Sequence, residues 1–331
     1  MKAIVHDEYG SPDVLRLQEV EKPAAGAGDV LVRVHAAGVD PGVWHLTTGE
    51  PYMVRAMGLG LRAPKTKVRG LDFAGEVEAV GAGVRRFRPG DEVFGACEHA
   101  GEGSFAEHTL ASPERLALKP ANLNFEQAAA VPVSACTALQ GLRDRGHIEQ
   151  GQHVLVTGAG GGVGTFAVQL ANVFHAEVTG VCSRPKVELV RSIGADHVID
   201  WTREDFTKGS RRYDLILDCA GRRAVTDLRR ALAPKGTLVI VGGLGGNRWT
   251  GGYGRQILRA PVLNLFVGQT LRSLTAKVTA ADLDFLRDLI QAGKVGPVIA
   301  RTFPLADAAE VVGHLHENHP AGKVVVSVTA G

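Results

Sequence analysis

A strand that runs into a helix through five glycines is the feature that most constrains how this chain folds. Residues 152–171 read Gln-His-Val-Leu-Val-Thr-Gly-Ala-Gly-Gly-Gly-Val-Gly-Thr-Phe-Ala-Val-Gln-Leu-Ala. The apolar run His153–Thr157 predicts a strand, and the apolar positions that follow at helical spacing predict a helix. Such a turn brings backbone N–H groups and the positive end of the helix dipole to one point, where a pyrophosphate binds.

The glycines match a dinucleotide-binding fingerprint with one substitution. With the last glycine at Gly164, the pattern G-x-G-x-x-G falls on Ala159, Gly161 and Gly164, so alanine replaces the first glycine. A lone match is weak evidence, and the glycines alone would also be explained by close packing of a helix on a strand. The sequence downstream supports nucleotide binding, because predicted strands (177–181, 196–199, 213–218, 237–242) alternate with predicted helices (185–192, 222–232). This alternation predicts a doubly wound parallel sheet, and the missing Lys-Ser or Lys-Thr pair excludes a nucleotide-hydrolase loop.

Length and composition predict two globular domains and no strongly charged partner. The chain has 331 residues, 45% of them hydrophobic, and Lys plus Arg exceed Asp plus Glu by two. A global nucleic-acid footprint is therefore not expected. The N-terminus has no tripartite export signal, and no apolar stretch reaches 18 residues, so we expect a cytoplasmic protein without membrane spans. The four scattered cysteines form no Cys-x-x-Cys pair and predict reduced thiols.

The sequence before the glycine turn is typical of a mostly β domain. Short strands are predicted at 2–6, 15–20, 30–37, 73–80, 92–94 and 105–109. Alternation of Val30, Val32 and Val34 with Leu31, Arg33 and His35 suits a partly open barrel. Strands at 298–302 and 323–328 are expected to return to this domain. The predicted boundaries are therefore 1–123 with 294–331 for the β domain and 124–293 for the dinucleotide domain.

Several connecting segments carry further expectations. Gly38–Pro64 is long and aromatic, which predicts a pocket wall. The run Arg62, Lys65, Lys67, Arg69 is either a solvated face or an entrance that steers an anionic ligand.

Helical and strand signals complete the reading of the chain. Asn124 and Gln127 predict a capping box, and Pro132 should interrupt the helical passage that follows. The apolar run Val262–Val267 predicts an exposed edge strand, through which we expect a homodimer.

With these parts placed, the chain resembles the zinc-free, quinone-oxidoreductase branch of the medium-chain dehydrogenase/reductase family. The resemblance covers essentially the whole chain, and it is carried by the glycine turn and by segments 34–40, 70–83, 88–95, 103–107 and 322–326. It implies a GroES-like substrate domain, mostly β and discontinuous, with an inserted Rossmann domain and a cleft between the two.

The resemblance also implies that no metal is bound. Zinc alcohol dehydrogenases carry a cysteine ligand where this chain has Asp40, and a Gly-His-Glu where it has Gly70-Leu71-Asp72. Two carboxylates without a His or Cys partner make a poor tetrahedral zinc site. The two histidine groups elsewhere, His314–His319 and Cys97–His108, lack metal-site spacing and are interpreted as helix-end and loop histidines.

The end of the second Rossmann strand favours NADPH. An acidic residue there would bind the ribose of NAD, but this chain has Cys182-Ser183-Arg184-Pro185-Lys186, whose hydroxyl and cations suit a phosphate. The alternative is that Arg184 and Lys186 are two solvated charges at the start of a helix and bind no phosphate. Trp201 stands where related reductases often place a tyrosine near this phosphate. The full set of predicted cofactor residues is Thr137, Gly158, Ala159, Gly161, Gly162, Val163, Gly164, Ser183, Arg184, Lys186, Gly242, Gly243, Phe266, Val267 and Lys323.

Without a metal, hydride delivery to a quinone or an α,β-unsaturated carbonyl is favoured, because conjugation spreads the developing charge. Tyr52, His45 and Asp40 are the candidate polar residues. His45 is either a proton relay or a structural or ribose-binding residue, Tyr52 either donates to the substrate oxygen or shapes the pocket, and Asp40 either binds ribose or amide or acts as a base with a pKa raised by burial. The alternative functions are a zinc-independent alcohol dehydrogenase or enoyl reductase, and a cofactor-binding sensor or nucleic-acid binder with little catalysis.

Overall fold

The computed structural model describes residues 1–56, 60–97, 103–242, 248–264 and 266–328. The chain divides into two compact units, of which unit 1 comprises Met1–Cys136 with Lys277–Gly331 and unit 2 comprises Thr137–Ala276. These bounds differ from the predicted ones at 123/124 and 293/294. The difference arises because two helices, at Phe125–Ala129 and Ala280–Gln291, pack on strands of unit 1.

Unit 1 is a mostly β domain, as the sequence predicts. Its strands are β1 (Lys2–Val5), β2 (Arg16–Glu19), β3 (Val30–Val39), β4 (Asp72–Val80), β5 (Glu92–Ala96), β6 (His108–Ala111), β7 (Leu116–Leu118), β14 (Ile299–Pro304) and β15 (Lys323–Ser327). Its helices are α1 (Pro41–Thr48), α2 (Phe125–Ala129), α8 (Ala280–Gln291) and α9 (Ala308–Asn318), and α3 (Pro132–Gln140) begins there.

The main sheet of unit 1 has the order β14-β15-β3-β4-β5-β7, with β6 also paired to β3. Strands β14 and β15 therefore do return to the first domain, as expected from the sequence. Val30, Val32 and Val34 of β3 are fully buried while Arg33 is exposed, because alternate side chains of a strand face opposite sides. Within the long segment 38–64 the structure places α1, directly after β3.

The capping box at the start of α2 is confirmed. Asn124 Oδ1 accepts a hydrogen bond from Gln127 N at 2.8 Å, and Gln127 Oε1 accepts one from Asn124 N at 3.1 Å. The predicted interruption is also observed, since α2 ends at Ala129 and α3 starts at Pro132, a residue that fits the first turn of a helix but not its interior.

Unit 2 is a doubly wound parallel sheet, as predicted. Its strands are β8 (His153–Thr157), β9 (Glu177–Cys182), β10 (His197–Asp200), β11 (Tyr213–Asp218), β12 (Leu232–Ile240) and β13 (Thr270–Ser273), in the order β10-β9-β8-β11-β12-β13. The helices are α4 (Gly162–Val173), α5 (Val187–Ser192), α6 (Val225–Ala231) and α7 (Gly251–Asn264). None of the helices in the described ranges is both long and apolar enough to cross a bilayer.

The predicted edge strand Val262–Val267 is wrong. Residues up to Asn264 belong to α7, and the last strand of the sheet is β13. The apolar run favours a strand by composition alone, but Ala260 and Leu263 pack into the core of unit 2 from the helix. Asn264 then binds the last strand, since its amide accepts from Leu271 N and donates to Leu271 O, both at 2.8 Å. The backbone groups of Leu271 that would pair with another strand are thus occupied.

Candidate functional site

The turn between β8 and α4 forms a cradle for an oxyanion. Gly158 has φ of +65°, and Gly161 is the N-cap of α4, whose first turn carries no acidic residue. A Cβ on Gly164 would lie 2.1 Å from the carbonyl oxygen of Gly158, so only glycine permits this approach of helix and loop. The N–H groups of the first helical turn, at Gly162, Val163 and Gly164, lack intrahelical acceptors and suit a pyrophosphate.

A basic side chain from the next strand lies over this cradle. Ser183, Arg184 and Lys186 follow β9 in a short 3-10 turn, with Arg184 exposed. A Cβ on Gly160 would come within 2.7 Å of Lys186 Cδ, so the methylene chain of Lys186 crosses the glycine loop. Burial, together with the charge of Arg222, lowers the pKa of Lys186, although the thiol of Cys182 opposes this. The structure therefore brings Lys186 together with the predicted glycine residues. Binding of an anion there would offset the cost of burying the ammonium group.

Arg222 is a basic residue that the sequence analysis missed. Its guanidinium carbon lies 5.4 Å from the centroid of the Trp201 ring, within the range of a cation–π contact. Trp201 is 45% exposed. The position of Arg222 shortly after β11 could have indicated a role beside the glycine turn, because the carboxyl ends of parallel strands meet at one edge of a sheet.

The other predicted cofactor residues have separate placements. Ala159 is buried, and Thr137 is 9% exposed at the start of unit 2. Gly242 N donates to Asp218 O at 3.3 Å, directly after β12. Phe266 is 80% exposed and, with Val267, lies outside any strand. Gly243 lies outside the described residues.

A buried carboxyl group joins the glycine loop to the loop after β11. Asp218 Oδ1 accepts from Thr157 Oγ1 at 2.5 Å and from Gly221 N at 3.2 Å, and Ala220 N donates to the same Thr157 hydroxyl. Asp218 is 1% exposed, and burial raises its pKa to about 6 against these hydrogen bonds. Asp218 therefore fixes the residue that precedes the cradle.

In unit 1, a lysine lies between two carboxyl groups that are distant in sequence. Lys323 Nζ donates to Asp40 Oδ1 at 2.5 Å and to Asp72 Oδ2 at 3.2 Å, and all three residues are at most 5% exposed. Ser134 Oγ donates to Asp40 Oδ1 at 3.2 Å, and Val133 N donates to Asp72 Oδ1 at 2.9 Å. Asp40 Oδ2 is buried without a hydrogen-bond partner.

The two carboxyl groups differ in acidity. Burial favours the neutral acid at both, but the charge of Lys323 and the hydrogen bonds around Asp40 outweigh burial and lower the pKa of Asp40. Burial and the nearby charge of Asp40 raise the pKa of Asp72 well above its usual value, while the two carboxylates raise the pKa of Lys323 against its burial. One of the two alternatives for Asp40, a general base, required a pKa raised by burial, and the pKa of Asp40 is lowered instead. Asp72 is the weaker acid of the pair, and Asp40 is the anion that faces Lys323.

The remaining predicted catalytic residues lie in and after α1. His45 Nδ1 is 2.7 Å from the carbonyl oxygen of Glu50, so Nδ1 carries the proton and Nε2 is the basic nitrogen. The Arg55 guanidinium lies 4.3 Å from the ring centroid of Tyr9 and 4.8 Å from that of Tyr52, and it donates to the end of α1. Arg55, which the sequence analysis did not single out, thus fixes Tyr52 relative to α1.

The two histidine groups occupy different surroundings. His108 Nε2 pairs with Glu78 at 2.9 Å, Cys97 contacts Thr109, and His99 lies outside the described residues. His314 packs against Phe303, and His319 adopts φ of +45° at the end of α9. Within the described ranges, no group of three or more His, Cys, Asp or Glu side chains is arranged to hold a metal ion. The four cysteines all lie in the described ranges, and none of them forms a disulfide.

Comparison with known proteins identifies the family. Two family models match the chain, the alcohol dehydrogenase GroES-like domain over residues 26–121 and the zinc-binding dehydrogenase domain over residues 193–326. The bovine mitochondrial NAD(P)H oxidoreductase RTN4IP1 is 32% identical, with 99% of this chain and 89% of that protein covered. The chain belongs to the medium-chain dehydrogenase/reductase family.

Two further relatives place this family member among the oxidoreductases of the quinone oxidoreductase-like branch. The Arabidopsis thaliana chloroplastic NADPH-dependent alkenal/one oxidoreductase is 34% identical over 98% of this chain and 79% of that protein. The structure of a quinone oxidoreductase from Coxiella burnetii has a TM-score of 0.88 at 29% identity, covering 99% of both chains. The glycine cradle and Lys186 of this dehydrogenase/reductase fit the dinucleotide that such enzymes use.

Two glycines of the cradle should separate folding from cofactor binding. We expect Gly164→Ala to lower the free energy of unfolding by about 1–3 kcal/mol, because its Cβ meets the Gly158 carbonyl. Gly161→Ala meets only an ordinary contact at 3.4 Å and should leave unfolding within about 0.5 kcal/mol while weakening dinucleotide binding. Urea denaturation and fluorescence titration measure the two effects; equal stability of both variants would contradict the close approach.

Asp218 should make stability depend on pH. Its pKa is raised from 3.8 to about 6 on folding, so its protonated form favours the native state. This contribution is fully present below pH 3.8 and is lost as pH rises through 6, at about 1.4 kcal/mol for each pKa unit. We expect Asp218→Asn to remove this decline. The measurement is the free energy of unfolding of the wild type and of Asp218→Asn between pH 4 and pH 8. If the two free energies change with pH in parallel, Asp218 does not titrate in this range.

Proposed function

We propose that this protein is an NADPH-dependent reductase that delivers hydride to a quinone or an α,β-unsaturated carbonyl without a metal ion. The similarity to an alkenal/one oxidoreductase and to a quinone oxidoreductase supports this acceptor class. The observation that carries the metal-free part is the position of Lys323, whose ammonium already donates hydrogen bonds to both carboxyl groups that stand at zinc-site positions of the sequence motif. A divalent cation there would have to displace a buried, doubly hydrogen-bonded cation.

The preference for NADPH rests on the basic turn after β9. Ser183, Arg184 and Lys186 supply a hydroxyl and two cations, and none of the three is acidic. A 2′-phosphate would accept hydrogen bonds from these groups, which are strongest when the partner is charged. Arg222 adds positive charge close to Lys186. An acidic ribose-binding residue, which NAD would require, has no counterpart in this turn.

The acceptor chemistry follows from the polar groups of unit 1. Bound NADPH supplies the hydride. His45, with its proton on Nδ1, can take or pass a proton at Nε2, and Tyr52 offers a hydroxyl donor on a turn held by Arg55. Asp40 is a carboxylate held by Lys323 and Ser134, and the role that we propose for it is to accept a hydrogen bond from a ribose hydroxyl or an amide of the cofactor. These donors stabilise a delocalised enolate or quinol anion, whereas a simple alkoxide requires a stronger electrophile.

The decisive experiment combines cofactor titration with a panel of acceptors. We expect tight binding of NADPH, and turnover with quinones and enones but not with saturated aldehydes, unchanged by a chelator. Arg184→Gln/Lys186→Gln should weaken NADPH binding about tenfold to hundredfold and leave NADH binding unchanged, because two charge-assisted contacts are removed. Arg203→Gln/Lys208→Gln removes two exposed cations of the same unit and serves as the matched control.

Each alternative function has a distinct outcome in the same experiment. Chelator-sensitive oxidation of plain alcohols would overturn the metal-free mechanism. Loss of NADPH and NADH binding to the same extent in the double variant would remove the phosphate assignment. Binding of NADPH without turnover of any acceptor would favour a sensor.

We further propose a homodimer in which side chains, rather than a shared sheet, make the contact at the β13 end of unit 2. Val262 is 58% and Phe266 80% exposed, an unusual exposure for large apolar residues. Sedimentation velocity at micromolar concentration should show a dimer that Phe266→Asp converts to monomer. Phe285→Asp, at an exposed phenylalanine of unit 1, is the control, and a monomeric wild-type protein would refute the dimer.

A further inference from the structure

The basic run that precedes β4 does not behave as one surface. Arg62, Lys65 and Lys67 are exposed, as a solvated face requires. Arg69 is only 4% exposed. The last cation of the run is therefore buried in unit 1, and neither cofactor binding nor hydride transfer in the proposed function makes use of it.

Two nitrogens of the buried Arg69 guanidinium have no hydrogen-bond partner. Nη1 donates weakly to the carbonyl oxygen of Leu46 at 3.5 Å, whereas Nε and Nη2 are buried and unpartnered. Nε–H and Nη2–H are the parallel pair of donors with which a guanidinium binds two oxygens of one carboxylate or phosphate. The unused edge of Arg69 thus has the geometry of an oxyanion receptor.

Arg69 also lacks a counter-ion among the described residues. Burial lowers its pKa to about 10, so it stays charged at neutral pH, and among the described residues Tyr9 is the group whose charge opposes this shift. No ion pair in the described part of the chain includes Arg69. Because an uncompensated buried charge costs several kcal/mol, an anion at this edge would stabilise the folded chain.

A second unpartnered polar atom lies on the same face of the backbone. Val5 bridges Val68 in antiparallel fashion, and His6 N donates to Lys67 O while Arg69 N donates to Ile4 O, so the side chains of His6 and Arg69 point to one side. His6 is 2% exposed, its Nδ1 donates to Glu8 O at 2.9 Å, and its Nε2 is unpartnered. Burial and the charge of Arg69 lower the pKa of His6 to about 4, so Nε2 carries a lone pair and requires a donor.

A third buried polar atom lies beside the next residue. Ser104 is fully buried and its Oγ has no partner. A Cβ on Gly70 would come within 2.3 Å of that oxygen, and Phe105 N donates to Arg69 O at 2.8 Å, which keeps Ser104 against the Arg69–Gly70 backbone. A hydroxyl both donates and accepts, so Ser104 suits either oxygen of a ligand.

We propose that Arg69, His6 and Ser104 form a binding site for a small oxyanion that also carries a hydroxyl group, such as hydrogenphosphate or hydrogencarbonate. The charged oxygens accept from Nε and Nη2 of Arg69, and the hydroxyl donates to Nε2 of His6. The site is separate from the turn after β9, since its three residues all belong to unit 1. It satisfies three buried polar side chains at once.

The test measures anion binding by the full-length protein. Potassium phosphate, hydrogencarbonate, acetate and chloride are compared at constant ionic strength by isothermal titration calorimetry and by the midpoint of thermal unfolding. We expect phosphate and hydrogencarbonate to bind and to raise the midpoint, with acetate weaker and chloride weakest. Hydrogenphosphate and hydrogencarbonate differ in size, so the order of their affinities shows which of the two anions the site prefers.

Variants assign the effect to these residues. Arg69→Gln should weaken binding of the preferred anion at least about tenfold, and Ser104→Ala should weaken it by a smaller factor. Lys67→Gln removes a neighbouring exposed cation and should leave binding unchanged. Arg184→Gln/Lys186→Gln, which lacks the proposed cofactor phosphate site, should retain anion binding at Arg69. Failure of the anion-site proposal is therefore distinguishable from failure of the NADPH proposal.

Two results would overturn the proposal. The first is equal binding by Arg69→Gln and wild type, and the second is an equal rise in unfolding midpoint with every anion, chloride included. If Arg69→Gln does not fold, the Ser104→Ala and Lys67→Gln comparison still decides.

Discussion

The ion pairs of Lys323 hold together parts of unit 1 that are far apart in sequence. Asp40 starts α1, Asp72 starts β4, Ser134 lies in α3 and Lys323 starts β15, so one ammonium joins the beginning and the end of the chain. Each of these groups is too buried to find water as a substitute partner. Removing Lys323 or Asp40 would leave its charged partner buried and unmatched, so the discontinuous unit depends on this pair.

The same cluster relates the fold to the chemistry. The pKa of Asp72 is raised and that of Asp40 lowered, so the anion of the cluster lies on Asp40 beside the ammonium of Lys323, and hydrogen bonds fix its orientation. A rigid, already charged acceptor of this kind is preorganised and does not have to be desolvated when a ligand arrives.

The sequence predicted the fold where local and tertiary preferences agree. The glycine turn, the alternating strands and helices of unit 2, and the capping box at Asn124 all have signals within a few residues, and each is present. It failed at Val262–Val267, because packing of Leu263 and the amide of Asn264 decide the conformation there, and neither contact is visible in a local pattern. The placement of Arg69 could not be predicted for a similar reason. A basic run is normally solvated, and the burial of Arg69 accompanies a tertiary pairing, that of Val5 with Val68, which no local pattern shows.

The bond between Asn264 and Leu271 has a consequence for the size of the parallel sheet. A single amide side chain presents the same donor and acceptor to β13 that the backbone of a seventh strand would present. At Leu271 the edge of β13 is therefore filled from within the chain. A strand from a neighbouring protein that approached the sheet at this residue would meet the end of a helix.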